Sequence, residues 1–394
     1  MNTLSNKKYK FVYLLIPLFV YLSVYKVGAI YLSYIIGFLY SIYIVYREKE
    51  ILVNKFLILF LIYTLINQLI LILLDKDYII NSEIINNMIM SCITVFIISS
   101  LSKIIEEDKL YRTYKIIGII AMIGLLIHAI SIFILNKNVY PIVIKELSDK
   151  TSVVLRQGIN RPVSFFLEPQ HYASYMLPLL FLSLKKQKVI FSFLITTSII
   201  ISTSLQGILI AGVLWIYYIL SVFKGIGKKT AIIAIICIFL GILIQTPFGE
   251  FAIDKLYKTD ISTDIRITRG FGVFDDMTTA EKLTGIGPGT ISRYISNTGR
   301  AVEWFLNTDN TFGYFISTYS GVLVNYGIIA GILFNILLIS MIKGCSKENL
   351  GMFIIIFLST LTQTVLFNVW FIFYFIIFFS ICRKTSNGFI RILL

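Results

Sequence analysis

The densest run of chemically capable side chains in this apolar sequence is Arg156-Gln-Gly-Ile-Asn-Arg161-Pro-Val-Ser164-Phe-Phe-Leu-Glu168-Pro169-Gln170-His171-Tyr172. It combines two guanidinium groups, a carboxyl, an imidazole and a phenol. A guanidinium fork matches the oxygens of a phosphate, and charge-assisted bonds of this kind are worth roughly 1.5–3 kcal/mol each. The pattern suits Arg156 and Arg161 gripping an anionic group while Glu168 or His171 handles a proton. A carboxylate partly desolvated at a bilayer boundary has its pKa raised toward the range useful for a general base. The same residues also fit a purely architectural reading. Glu168 and Pro169 suit a helix start, where an acid complements the dipole and proline costs no hydrogen bond. Arg161 would then be an interfacial anchor.

A second polar stretch, about 247–314, carries Lys255, Lys258, Arg266, Arg269, Lys282, Arg293 and Arg300, balanced by acids that include Asp260, Asp264, Asp275, Asp276, Glu281, Glu303 and Asp309. Arg266 and Arg269 are spaced i,i+3, so on a helix both forks share one face and could clamp a diphosphate or simply face water. Asp275-Asp276 invites a divalent-metal reading, but two adjacent acids without further ligands more often form a turn or cap, and no metal site is expected. Gly285-Ile-Gly287-Pro288-Gly289 is a forced turn whose amides could line an anion site. Away from these loops the apolar runs are almost free of ionisable groups. The one mid-run candidate, His128, reads as a neutral, hydrogen-bonded packing residue in preference to a proton relay.

Those loops must be held by helices. The 394 residues are 57% hydrophobic and only 14% charged, with a mean hydropathy of +0.85. A soluble domain carries roughly a quarter charged residues, so a conventional soluble enzyme is excluded. Apolar segments fall at 11–25, 27–46, 56–74, 84–102, 116–135, 171–184, 189–203, 206–223, 230–246, 315–342, 350–366 and 368–382. This predicts an all-α, polytopic integral membrane protein of about 12 transmembrane helices, forming one domain with two long extracytoplasmic loops at about 136–170 and 247–314. Three long apolar runs are expected to break at Lys26, at Ser202-Thr203-Ser204 with Gly207, and at Asn368. No small-residue cleavage site follows the first run, which therefore reads as a retained helix.

Charge orients the spans. The 35 Lys+Arg against 21 Asp+Glu give +14, in a membrane protein a topology signal before it is a sign of any polyanion, and a nucleic-acid partner is not expected. With the N-terminus inside, every inner segment is basic, from Lys7, Lys8 and Lys10 to Arg383, Lys384 and Arg391, while the short outer turns hold only Lys26 and Lys76. Both termini are thus expected in the cytoplasm. The four cysteines fit neither a disulfide framework nor a zinc pattern.

Three segments then carry a resemblance: Arg161-x-x-Ser164-x-Phe166-x-Glu168-Pro169 entering a helix after an outer loop, Gly285-Ile-Gly287-Pro288-Gly289 late in the longest loop, and Asn325-Tyr-Gly327-Ile-Ile-Ala-Gly331 in the next helix. Over about 150–340 the chain resembles the O-antigen and capsule polymerase family (Wzy) and the related O-antigen ligases. The motifs are short, and their order and loop context carry the likeness. The resemblance implies a glycosyltransferase of the bacterial plasma membrane that moves a growing glycan from polyprenyl diphosphate to a new lipid-linked repeat unit, without nucleotide sugar, metal or other cofactor. Its partners would be the lipid-linked oligosaccharide, the bilayer, a chain-length regulator and a flippase. It makes Arg161, Arg266 and Arg269 the diphosphate candidates. Tyr172 and Trp304 suit stacking on sugar faces. Many members carry a histidine near the end of the long loop; here that stretch reads Asn307-Thr308-Asp309-Asn310-Thr311. The catalytic base stays open among Asp309, Glu168 and His171, and the missing histidine favours polymerase over ligase. A lipid-linked oligosaccharide flippase or other transporter would also suit the span count, but not so long a loop or so few intramembrane charges.

Overall fold

The computed structural model describes residues 9–28, 30–74, 76–144, 148, 161–227, 229–230, 232–234, 265–301 (of 265–267 the backbone alone), 316–382 and 388–393. The described chain is mostly helical. In order it forms α1 (Lys10–Leu22), strands β1 (Lys26–Val27) and β2 (Ile30–Tyr31), α2 (Leu32–Glu48), β3 (Glu50–Asn54), α3 (Lys55–Leu74), α4 (Asn81–Ile104) and α5 (Glu107–Phe133). Then come α6 (Pro169–Lys185), α7 (Val189–Ile201), α8 (Leu205–Ser221), α9 (Ile265–Asp276), α10 (Thr279–Thr284) and α11 (Ile291–Thr298). The chain ends with α12 (Thr318–Lys343), α13 (Leu350–Thr362), α14 (Val369–Cys382) and β4 (Phe389–Leu393). Among the described residues α3, α4, α5 and α12 are long and apolar enough to cross a membrane, and α1, α7, α8 and α14 are shorter apolar helices. This is compatible with a helical membrane protein. The expected segment at 230–246 lies almost wholly outside the described residues.

The chain breaks where the expectation put it. At Lys26 a two-strand antiparallel turn separates α1 from α2. Thr203 takes a positive φ of 57°, and the Ser204 side chain accepts the Gly207 amide to open α8. Asn368 Oδ1 accepts the amides of Trp370 and Phe371 at the head of α14. In each case a polar side chain or an exposed turn satisfies amides that a continuing helix would have satisfied itself.

Two helices form the centre. Every residue of α14 is buried, as is α6 from Tyr172 to Leu184, and a helix apolar on all sides is stable only when surrounded. Tyr175 of α6 stacks on Phe373 of α14 at 5.9 Å, and Tyr114 of α5 meets both edge-on. Around them α5 turns Ile116, Ile120, Ile123, Ile127 and Ile130 outward, a stripe of one helical face that lipid tails would cover. His128 lies on the opposite, inner face. Its Nδ1 accepts the Ser164 amide at 3.1 Å, which requires that nitrogen to be unprotonated, in keeping with a packing residue.

Among the described residues the ion pairs sort into two ends of the bundle. At one, β3 pairs antiparallel with β4, Tyr9 donates to Glu48, Lys103 pairs with Glu48 and Glu50, Lys185 with Glu107 and Lys186 with Asp108. The two described parts of the long loops build the other, here called the loop end. Tyr21 of α1 donates to the Ile142 carbonyl, and Asn67 of α3 to the Thr284 carbonyl at 2.7 Å.

The loop end also holds the main irregularity of the fold. Inside α12, Gly327 adopts φ 80° and ψ −179°, a backbone state open essentially to glycine alone. The break lies nine positions into the helix, about 13 Å from its start at 1.5 Å per residue. The carbonyls of Val324 and Asn325 thereby lose their helical partners and instead accept the amides of Ile286 (2.9 Å) and Gly287 (3.0 Å). Two of the sequence motifs, Gly285–Gly289 and Asn325–Gly331, are thus packed on one another. No Cβ fits at either contact glycine: on Gly285 it would stand 2.3 Å from the Asn325 carbonyl oxygen, and on Gly327 2.0 Å from that of Leu283. We expect Gly327→Ala to lower the unfolding free energy by about 2–3 kcal/mol, read as a drop in the thermal midpoint in detergent. Gly212→Ala, on an open face of α8 with nothing within 4 Å, should leave it unchanged or slightly raised.

Candidate functional site

At the loop end the first motif enters α6 as the sequence suggests. Glu168 is the N-cap residue with extended backbone and Pro169 occupies the first turn, but the Glu168 carboxylate makes no capping bond. It stands half-buried beside the helix start. Arg161 is held by the turn between α7 and α8: its Nε donates to Thr203 Oγ1 at 2.8 Å and a terminal nitrogen to the Thr203 carbonyl at 2.5 Å. A second tie joins the same two pieces, Gln170 donating to Gln206 at 2.6 Å. The His171 ring lies against Trp370 at the head of α14, with centroids 5.5 Å apart. Arg161, Glu168 and His171 are therefore three positions on one ordered connection.

The second loop contributes α9, α10 and α11. Arg266 and Arg269 lie on one helix, α9, the condition under which their i,i+3 spacing puts both on one face. The Arg266 side chain is outside the described residues. Arg269 is 6% exposed, on the face of α9 where Gly270 touches Ser320 of α12. Burial pulls its guanidinium pKa down from the ordinary value, although a guanidinium stays charged at any physiological pH. The ends of α12 and α13 connect α9 to α6. Ile316 and Ser320 pack against Gly270, the Thr318 amide and hydroxyl both donate to the Gln363 carbonyl, and Gln363 Nε2 donates to Ser174 Oγ of α6 at 2.6 Å.

Two sequence expectations need correction or qualification. Tyr172 is not placed to stack on a sugar: it is fully buried, edge-on to Phe166, because the position immediately after His171 on α6 already turns into the bundle centre. The Arg161 guanidinium spends its Nε and one terminal nitrogen on Thr203, so part of its fork serves the fold. Arg156, Trp304 and Asp309 lie outside the described residues. Asp275 and Asp276 are exposed at the end of α9, and the Asp275 backbone carbonyl accepts Lys282. Among the described residues no group of three or more His, Cys, Asp or Glu side chains converges.

A cluster that sequence reasoning missed sits beside this site. Glu281, 6% exposed, closes a capping box with Thr278 at the start of α10. Its Oε2 also accepts the Tyr294 hydroxyl (3.1 Å) and Arg300 (3.3 Å). Its Oε1 accepts the Tyr78 hydroxyl (3.3 Å), with Lys76 at 3.9 Å. Tyr78 and Tyr294 meet edge-on at 5.2 Å above it. Burial opposes ionisation of Glu281, but the amide and hydroxyl of Thr278, the Tyr294 hydroxyl and the Lys76 charge outweigh it and hold the carboxyl below its usual range. The Thr278-x-x-Glu281 box was readable as a helix start. Its meeting with Tyr78, some 200 positions earlier, was not.

The chain matches no protein-family model and no curated protein.

The depressed pKa fixes a sign for pH dependence. A carboxyl ionised more readily in the folded state stabilises that state above its unfolded pKa, near 4.3, and the contribution disappears as pH falls through the lower folded value. Amide exchange of α10 and α11, corrected for intrinsic rate, should therefore stay constant from about pH 8 to 5 and rise below about 4. In Glu281→Gln it should be faster at pH 7 and lose that acid dependence.

Proposed function

We propose that the protein is a membrane glycosyltransferase, a polysaccharide polymerase that transfers a growing glycan from polyprenyl diphosphate to a hydroxyl of a lipid-linked repeat unit. The observation that carries this reading is that a buried cation, Arg269, and the connection bearing Arg161, Glu168 and His171 lie at the same end of the bundle, joined through Ser320, Thr318 and Gln363. In a chain otherwise nearly free of charge between its ends, cations held at one surface ask for an anionic ligand there.

The chemistry follows from charge. The acceptor hydroxyl attacks the anomeric carbon of the donor sugar, the bond from that carbon to the diphosphate oxygen breaks, and the lipid diphosphate leaves as an anion. Arg269, with Arg266 one turn away on the same helix and Arg161 across the bundle end, would stabilise the charge that builds on the leaving group. Glu168 or His171 would take the hydroxyl proton, Asp309 being the other candidate. The lipid tails stay in the bilayer throughout, so the membrane adds little binding energy but confines donor and acceptor to one plane and raises their effective concentration.

On this reading the loop end faces away from the cytoplasm and the β3–β4 end faces it, in the bacterial plasma membrane, with about 12 spans and both termini inside. The bias of Lys and Arg to the segments at the β3–β4 end supports that orientation.

The test is the glycan ladder of cells whose only copy is a variant. Arg269→Ala and Glu168→Gln should keep normal membrane insertion, abolish long chains and leave single repeats, a loss of about two or more orders of magnitude in elongation for a positioned charge or base. Normal chain lengths in both would remove this site. Accumulation of long lipid-linked chains instead would favour the ligase reading.

A further inference from the structure

The segment α9–α11 rests on a small core of its own. Leu71, Tyr78, Ile79 and Ile84 from the α3–α4 tip meet Val273, Met277, Ile286, Ile291, Tyr294, Ile295, Ala301, Ile316 and Val324, apart from the main core of the bundle. So small a core holds its parts weakly unless something else joins them. Besides the glycine turn on α12 and the packing of Gly270 against Ser320, Glu281 joins them. Its carboxylate takes hydrogen bonds from its own helix start, from Tyr78 of the α3–α4 connection and from Tyr294 of α11, with Lys76 and Arg300 supplying positive charge from two sides. Through α10 it is tied on one side to α9, which bears Arg266 and Arg269, and on the other to the Gly285–Gly287 turn that fills the break in α12.

We propose that Glu281 is a positioning residue that locks α9 onto the bundle and so fixes Arg269 at the loop end. The proposal rests on the diphosphate reading of Arg269 for its function, but the lock itself does not. Glu281 is 6% exposed and already takes bonds on both oxygens, so it acts through the arginine helix and not on a substrate. A carboxylate suits the task because it accepts on both oxygens at once. An amide would present one of its two ends as a donor to hydroxyl and cationic groups that are themselves donors. Shortening to aspartate would keep the charge and lose the reach to Tyr78 or Tyr294.

The experiment uses the full chain in detergent and two readouts. One is amide exchange of α9, with α4 and α5 as internal controls of folding. The other is the affinity for farnesyl diphosphate as a soluble prenyl diphosphate probe. Glu281→Ala should speed α9 exchange about tenfold or more, leave α4 and α5 protected, and weaken the probe about tenfold. Glu281→Asp should fall between. In a background lacking both α9 arginines (Arg266→Ala with Arg269→Ala) Glu281→Ala should change the probe affinity by less than about twofold, because a residue acting through that helix has nothing left to act on. Unchanged α9 protection in Glu281→Ala would overturn the lock. An equal loss of affinity with and without the two α9 arginines would overturn the action through that helix. If α9 loosens while neither Glu281→Ala nor Arg269→Ala affects the probe, the lock stands and the diphosphate reading fails.

Discussion

A backbone carbonyl within a membrane-crossing helix must find a donor, because hydrocarbon offers none and an unpaired group there costs several kcal/mol. The break at Gly327 creates that demand at Val324 and Asn325, and the Gly285–Gly287 turn meets it with two amides. The position of the second loop follows from this exchange. The turn can enter only because Gly285 and Gly327 lack side chains. Once it has entered, α10 on one side and α11 on the other are fixed relative to α12. The described part of the second loop is thereby attached to the bundle beside the break in α12.

Charge is distributed unevenly between the two ends, with different consequences. At the β3–β4 end lysines pair with acids on neighbouring segments: Lys103 with Glu48 and Glu50, Lys185 with Glu107. These pairs are partly exposed, and each adds little to stability. At the loop end Glu281, the one buried acid among the described residues, is surrounded by donors, and Arg269 is buried on α9. Burying a guanidinium is costly unless its partners satisfy it.

Much of the scaffold was legible because it depends on local rules. The breaks at Lys26, Ser202-Thr203-Ser204 and Asn368 are turn and capping chemistry within a few residues. Glu168-Pro169 marks the start of α6, and the i,i+3 spacing of Arg266 and Arg269 does correspond to a helix. What could not be read depends on distant partners. Gly285–Gly289 looked like an ordinary turn because its partner, the Val324–Gly327 break, is a further 40 positions along and itself reads as an unbroken apolar helix. Glu281 looked like one of several loop acids, since nothing near it announces Tyr78. The burial of Tyr172 is hidden for a related reason: its neighbours Glu168 and His171 are half-buried at the helix entrance, but the helix turns Tyr172 inward within a single turn, toward Phe166.

The loop end is built as two units rather than one. Arg161–Thr203 and Gln170–Gln206 join the entrance of α6 to the α7–α8 turn. Glu281 and the glycine turn join α9–α11 to the α3–α4 tip and α12. Between them stands Gln363 of the α13 end, accepting from Thr318 of α12 and donating to Ser174 of α6. A ligand that needs the arginine of one unit and the acid or imidazole of the other is sensitive to the separation of the two, because a misplacement of about 1 Å between reacting groups can cost two orders of magnitude in rate. Gln363 spans the two units with its main-chain carbonyl on Thr318 and its side-chain amide on Ser174, in a buried place. It is neutral, so it joins the two units without adding charge between them.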